Sequence, residues 1–341
     1  MSLDPDRRSQ LLASKLRGLA SQRWELAADA QTGVFPSGAT LMDRAAGRCW
    51  VIVEDGAERR LGGALAVALR AGVTEIHLVV DDPAAAATLA RRAGAFRTPP
   101  RVWRSDGRDL FEVAAAAPAP DPAPVPEAEL YRPVLQAAGL DPVVEGGQLI
   151  GELLGLEVAR VVVGEDGVAR VEAGVGRFDR EIGAMMFAHL GETDSLARAV
   201  DLVGRYRHAR AERHPLNRLV PERWLRRDVV DNPSLVGATE LRAVGSALPR
   251  QNLTEEGIAT AIGTDSEGHD LVVVCSTGVY LDLVPAAADD RLTHRPDARL
   301  VLVLPQRDAV PITADLASLL ADPASVVAVD DDWRLLTEPQ T

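Results

Sequence analysis

The sequence predicts an α/β protein of two or three modules, and three observations carry that reading. Short runs rich in Val, Ile and Leu alternate with Ala- and Leu-rich stretches, which is the rhythm of βαβ units. At 341 residues the chain exceeds what a single hydrophobic core usually spans. Between Pro118 and Pro126 every second residue is proline, five in nine, which excludes a helix or an internal strand there and marks a boundary. A composition 47% hydrophobic and 26% charged is that of a folded chain with real cores.

The elements follow in order. Arg7 to Ala28 carries Leu11, Leu12, Leu16 and Leu19 at helical spacing, an amphipathic helix. Cys49–Val53 is a β-rich run, Gly56–Ala71 a helical stretch and Thr74–Val80 a second strand. Asp82 offers an N-cap with Pro83 at N1, Ala84–Ala93 supplies a helix that Gly94 ends, and Pro99–Trp103 is a third strand. Residues 1–113 therefore read as a helix plus a Rossmann-like module, and 114–126 as an Ala/Pro linker. A helix at Glu127–Ala138, strands at Gln148–Leu153, Leu156–Val163 and Ala169–Ala173, and a helix at Phe178–Leu190 make 127–190 an α-β-β-β-α unit. The sequence Gly164-Glu165-Asp166-Gly167 supplies a hairpin turn inside it. Residues 191–244 are a helical, arginine-rich segment that opens on Leu196, Ala199, Val200 and Val203. Residues 245–341 form a C-terminal α/β module with strands at Ile258–Ile262, Leu271–Cys275, Leu300–Leu304 and Val326–Val329 and a helix at Pro311–Ala321. The two α/β modules are of similar size but show no residue-level repeat.

Composition also excludes chemistry. Of 37 basic residues, Lys15 alone is a lysine, so Walker-type phosphate loops and Schiff-base nucleophiles have no lysine where they need one. A net charge of −13 opposes broad, nonspecific binding of polyanions. No run approaches a membrane span, and the start of the chain lacks the apolar stretch of a secretory signal, so a cytoplasmic location is expected. Cys49 and Cys275 lie in or beside strand-like runs and read as reduced core thiols. There is no G-x-S-x-G, no H-E-x-x-H and no glycine fingerprint at Glu54-Asp55-Gly56; nothing points to NAD, ATP or zinc.

Three constellations could carry chemistry. Eight arginines and three acids between Arg205 and Asp228 give that stretch a net charge of +5 in an acidic chain. Tyr206, Trp224, Asn217, His208 and His214 are interleaved with them, a mixture suited to phosphates and stacked bases. Its expected ligand-binding residues are Arg207, Arg213, His214, Asn217, Arg218, Arg223 and Trp224. The competing reading is that the arginines pair with acids of neighbouring elements and bolt the fold together. The second constellation is Glu145, Glu152, Glu157 and Arg160 in the three-stranded run, joined by Asp179 and Glu181 at the start of the following helix; three such carboxylates could hold Mg²⁺ and activate water on a phosphodiester. The third is Cys275-Ser276-Thr277-Gly278 with Arg307, at the carboxyl ends of strands, where a small-molecule crevice would lie.

The α-β-β-β-α order over 127–190, with acids on its central strands, resembles the restriction-endonuclease-like PD-(D/E)XK superfamily. That resemblance implies a metal held by Glu145, Glu152 and Glu157. The family's acid-x-lysine is here Glu157-Val158-Ala159, with Arg160 one place on, so the resemblance is one of element order, and Arg160 takes the charge-stabilising role. Gly155-Leu156-Glu157-Val158-Ala159-Arg160, His214-Pro215-Leu216-Asn217-Arg218-Leu219, Glu222-Arg223-Trp224-Leu225-Arg226 and Val274-Cys275-Ser276 together resemble an uncharacterised family of actinobacterial proteins, which implies no activity. The expectation is a protein that binds a phosphate-rich ligand, nucleic acid first, with a nuclease-like metal site that need not be active; as an enzyme it would be a Mg²⁺-dependent phosphodiesterase. The alternative is a non-enzymatic regulatory or scaffolding protein whose N-terminal module binds a nucleotide or a protein partner. No membrane partner is expected, and self-association has no stripe that specifies it.

Overall fold

The computed structural model describes residues 5–176, 192–211, 214–250 and 252–335. It is a mixed α/β protein with three sheets. The first grows from α1 (Pro5–Ser21), β1 (Gln31–Phe35), β2 (Gly38–Asp43), β3 (Arg48–Val53), α2 (Leu61–Ala71), β4 (Glu75–Val80), α3 (Pro83–Ala93), β5 (Arg101–Asp106) and β6 (Asp109–Glu112). Its strands pair in chain order: β1-β2-β3 antiparallel, β3-β4-β5 parallel, and β6 antiparallel again. Leu12, Leu16 and Leu19 of α1 join Leu41, Trp50, Ile52, Val79 and Trp103 in one core; Trp50 and Ile52 share a face of β3, as the period of two requires. The Asp82 side chain caps α3 by accepting from the Ala84 N–H at 2.9 Å.

This strand order has no reversal, unlike the doubly wound sheet that a Rossmann-like module implies. The difference begins at the β1–β2 hairpin. Gln31–Phe35 is exposed at four of five positions, so it has no hydrophobic alternation to betray it.

The second sheet follows α4 (Pro126–Glu129) and α5 (Arg132–Ala137) and holds β7 (Asp141–Glu145), β8 (Gln148–Leu153), β9 (Leu156–Val163) and β10 (Ala169–Ala173) in the order β10-β9-β8-β7, all antiparallel. It has four strands where three are expected. The added strand, β7, contains Pro142 and lies at the sheet edge, where a missing N–H is tolerated. The expected helix at Phe178–Leu190, with Asp179 and Glu181, lies outside the described residues.

After α6 (Glu192–Gly204) and α7 (Pro221–Asp231) comes the third sheet, built from β11 (Ala238–Val244), β12 (Ala259–Asp265), β13 (Asp270–Cys275), α8 (Leu283–His294), β14 (Arg299–Pro305), α9 (Pro311–Ser318) and β15 (Ser325–Val329). Its strands also pair in chain order, β11-β12-β13 antiparallel and β13-β14 parallel. Helix, three-strand meander, helix, parallel strand, helix, strand describes the first and third sheets alike. The spacing agrees too. Gly56 lies three residues beyond the end of β3 and Gly278 three beyond the end of β13, both left-handed with φ of 63° and 76°, and each precedes the next helix by five residues. The chain thus carries one αβββαβαβ topology twice.

Two compact units result. The first is Met1–Pro118 with Leu281–Asp289 and Val310–Ser325; the second is Ala119–Tyr280 with Asp290–Ala309 and Val326–Thr341. The chain passes from the first to the second inside the proline run, whose residues 118–125 form neither helix nor strand. Within the first unit, Leu320 bridges to Phe96, and the Arg97 N–H donates to Leu319 O and the Ala321 N–H to Ala95 O. Among the described residues no helix is long and apolar enough to cross a membrane.

Candidate functional site

The arginine-rich stretch of the second unit divides into an inner and an outer set. The inner set begins on α7, where Pro221 occupies the first turn and Arg223, Arg226 and Arg227 follow at i, i+3 and i+4 on one helical face. That spacing meets the acids of β7 and β8. Arg223 donates to Glu145 Oε1 at 2.5 Å and to Glu152 Oε1 at 3.1 Å; Arg226 donates to Glu152 Oε2 at 2.5 Å, and Arg227 to Asp141 Oδ2 at 3.2 Å. Arg250 pairs with Glu222 of the same helix. Glu152 is only 2% exposed, so its charge is tolerated only because two guanidinium groups neutralise it. At Glu145, burial works to raise the carboxyl, yet the charge and hydrogen bond of Arg223, with Arg226 and Arg160 behind them, hold it below the usual carboxylate range. Gly155 lets the β8–β9 turn approach α7. With φ at 75°, a Cβ there would lie 2.3 Å from the Arg223 carbonyl carbon and 2.5 Å from the Trp224 nitrogen.

Arg207 and Asn217 belong to the inner set as well. Arg207 is buried and spends its guanidinium on main-chain oxygens: Leu153 and Leu154 accept from Nε at 3.1 and 3.0 Å, Leu216 and Leu219 from Nη1 at 2.5 and 3.1 Å. It lies over Trp224, itself fully buried. Asn217 Nδ2 donates to His208 O and Ala211 O at 2.9 and 2.7 Å, closing the turn between α6 and α7. Arg207, Asn217, Arg223 and Trp224 therefore hold the fold at these contacts, which is the bolting arrangement that competes with the ligand reading.

The outer set is Arg205, Tyr206, Arg210 and Arg218, all exposed, with His214 half-buried. The rings of Tyr206 and His214 stack with centroids 4.2 Å apart and planes 11° from parallel. His214 is fixed in turn, because its Nδ1 accepts the Leu216 N–H at 3.3 Å and Pro215 stiffens the turn that follows. Tyr206, Ala209, Arg210, Ala211, His214, Pro215 and Leu335 line an open hollow of about 760 Å³. Arg213 lies outside the described residues.

The carboxylate constellation is brought together in part. Glu152 and Glu157 are cross-strand partners on β8 and β9, and Glu145 meets Glu152 through Arg223. Glu157, however, is clasped by Arg160 through two bonds of 2.8 and 2.9 Å, and Arg160 also reaches Gln148. Each of the three acids carries a guanidinium, and among the described residues no three of His, Cys, Asp and Glu gather as a metal-binding group.

At the third constellation three of the donors are occupied. Ser276 is buried and donates to Gly257 O at 3.2 Å, the Gly278 N–H is taken by Asp308 at 2.7 Å, and the Arg307 N–H by Asp331 at 3.0 Å. Both thiols are buried, and burial pushes Cys49 up to about 12. Sequence reasoning did not separate inner from outer arginines, because exposure has no signature in a run where a third of the residues are arginine. It also left Arg210 and Tyr206 out of the expected ligand set, although their neighbours were in it. No known protein-family model, no curated protein and no solved structure matches this chain.

Proposed function

We propose that this chain binds a phosphate-rich ligand, nucleic acid foremost, through the outer face of residues 205–218. The observation that carries the reading is the division of the arginines: the acids of the second sheet claim Arg223, Arg226 and Arg227 in buried or half-buried pairs, while Arg210 lines the hollow and Arg218 and Arg205, the latter in a surface pair with Asp201, are exposed on the same stretch. Exposed guanidinium groups beside stacked rings suit phosphate and base together. Binding is favoured over cleavage, since a Mg²⁺ ion taking Glu145, Glu152 and Glu157 would first have to displace Arg223, Arg226 and Arg160. Such a role belongs in the cytoplasm, where the ligand is at hand.

Fluorescence anisotropy with labelled single- and double-stranded DNA and RNA, with and without Mg²⁺ across a salt series, tests it. Three arginine–phosphate contacts give a log–log salt slope of about −2, at roughly −0.7 per contact on a single strand. Arg210→Glu with Arg218→Glu should weaken binding at least about tenfold and leave Tm unchanged, since exposed charges contribute little to stability. No binding at low salt would sink the proposal and leave the stretch purely architectural.

A further inference from the structure

Resting on that reading, we infer that the ligand is single-stranded and that one of its bases stacks on the Tyr206–His214 pair. The two rings already form a two-layer stack at 4.2 Å and 11°. His214 covers one face of Tyr206, which is nevertheless 42% exposed, so the stack ends on an accessible ring. The hollow beside it, about 760 Å³, falls within the range of small-molecule sites, and Pro215 and Leu335 give it apolar edges. Arg210 lines the same hollow and Arg218 is exposed on the turn that carries His214, which places positive charge where the backbone of a stacked nucleotide would run.

The platform is set before any ligand arrives. The Leu216 N–H holds the His214 ring, Pro215 fixes the turn, and Asn217 ties the turn to His208 O and Ala211 O. A preorganised ring costs little ordering entropy on binding. A duplex keeps its base faces inside its own stack and offers this platform nothing, whereas a single strand presents them freely. Stacking uses the face of a base, which every base has, so base identity is tolerated and the discrimination is strand state.

The test uses the full chain and four labelled oligonucleotides of about twelve nucleotides, a length within single-strand site sizes: ssDNA, ssRNA, a duplex and an abasic strand of equal charge. Wild type should bind both single strands about tenfold or more tighter than the abasic strand and the duplex. Tyr206→Ala should lose that advantage, and Tyr206→Phe should keep it. Equal binding of abasic and normal strands by the wild type overturns the base platform while leaving the phosphate reading intact, and it needs no variant to fold. Absence of binding to every oligonucleotide overturns both. Displacement of the strand by a free mononucleotide of equal affinity would assign the hollow to a nucleotide and overturn the single-strand inference.

Discussion

Glu152 shows how one residue decides between two roles for a charged stretch. Its carboxylate is buried and shared by Arg223 and Arg226, so removing it leaves two buried guanidinium groups short of a partner. Glu152→Ala is expected to cost about 3–5 kcal/mol, the usual cost of breaking a buried pair, measured as a fall in the urea midpoint. A variant as stable as wild type would mean that the carboxylate is not needed for the fold and would return it to candidacy as a metal ligand. His77 is the corresponding case in the first unit. It lies fully buried beside Trp24 and stacks on Trp50; its Nδ1 accepts the Trp103 indole N–H at 3.1 Å, and its Nε2 therefore carries the proton that faces Glu75 at 3.1 Å. Burial is the chief reason that its pKa is pulled down to about 4, with Glu75 opposing. Between pH 6.5 and about 4 the unfolded chain binds this proton and the native state does not, so stability falls as pH drops through that window. The shift corresponds to about 3 kcal/mol. His77→Phe should remove that slope from a series of urea melts at pH 4.5 to 7, and an unchanged slope would exclude His77 as its source.

At the scale of elements, the sequence revealed those whose hydrophobic pattern agrees with their burial. β3, β4, β13 and β14 are runs of Val, Ile and Leu in sheet centres, and α3 has its Asp-Pro start and its Gly end. β11 was hidden, because Ala-Thr-Glu-Leu-Arg-Ala-Val is as compatible with a helix as with an edge strand. α8 was hidden for the opposite reason. Every residue from Asp282 to Arg291 is buried, Asp289 and Asp290 included, so it has no polar face to set a helical period. Those buried acids have work elsewhere. The N-terminus of α2 lacks a capping side chain of its own, and Asp282, far along the chain, supplies one by accepting the Gly62 N–H at 3.0 Å. Gly62 leaves room for that approach, since a Cβ would lie 1.9 Å from Leu281 O. Asp282→Ala is expected to destabilise by about 1–2 kcal/mol, the value of a lost cap. Hydrogen exchange should show the loss as weaker protection at the start of α2 ahead of the rest of the first sheet; uniform loss would contradict a capping role.

For the whole molecule, the proline run is legible as a boundary, yet the first unit extends beyond what precedes it. Leu281–Asp289 and Val310–Ser325 belong to that unit, and their contributions are specific. Asp289 takes Arg91 at 2.7 Å and Arg92 at 2.9 Å, with Arg92 and Asp289 both almost wholly buried. The Phe96–Leu320 bridge joins the segment after α3 to the segment after α9, equivalent places in the two copies of the repeated topology. No sequence signal could expose this, because the pairing of Arg91 with a residue 198 positions away is a property of the fold and not of any local pattern. A consequence follows for a fragment of residues 1–118. It retains all six strands of the first sheet and all three of its helices, but it leaves Arg92 without its acid, α2 without its cap, and the backbone of Ala95 to Arg97 without its bridging segment. The pair and the cap together are worth about 4–7 kcal/mol, comparable to the whole stability of a small domain. The fragment should therefore show strand and helix signals in circular dichroism without a cooperative melt, whereas the full chain melts cooperatively. A fragment that melts as sharply and as high as the full chain would show that the C-terminal segments are passengers on the first unit and not part of its core.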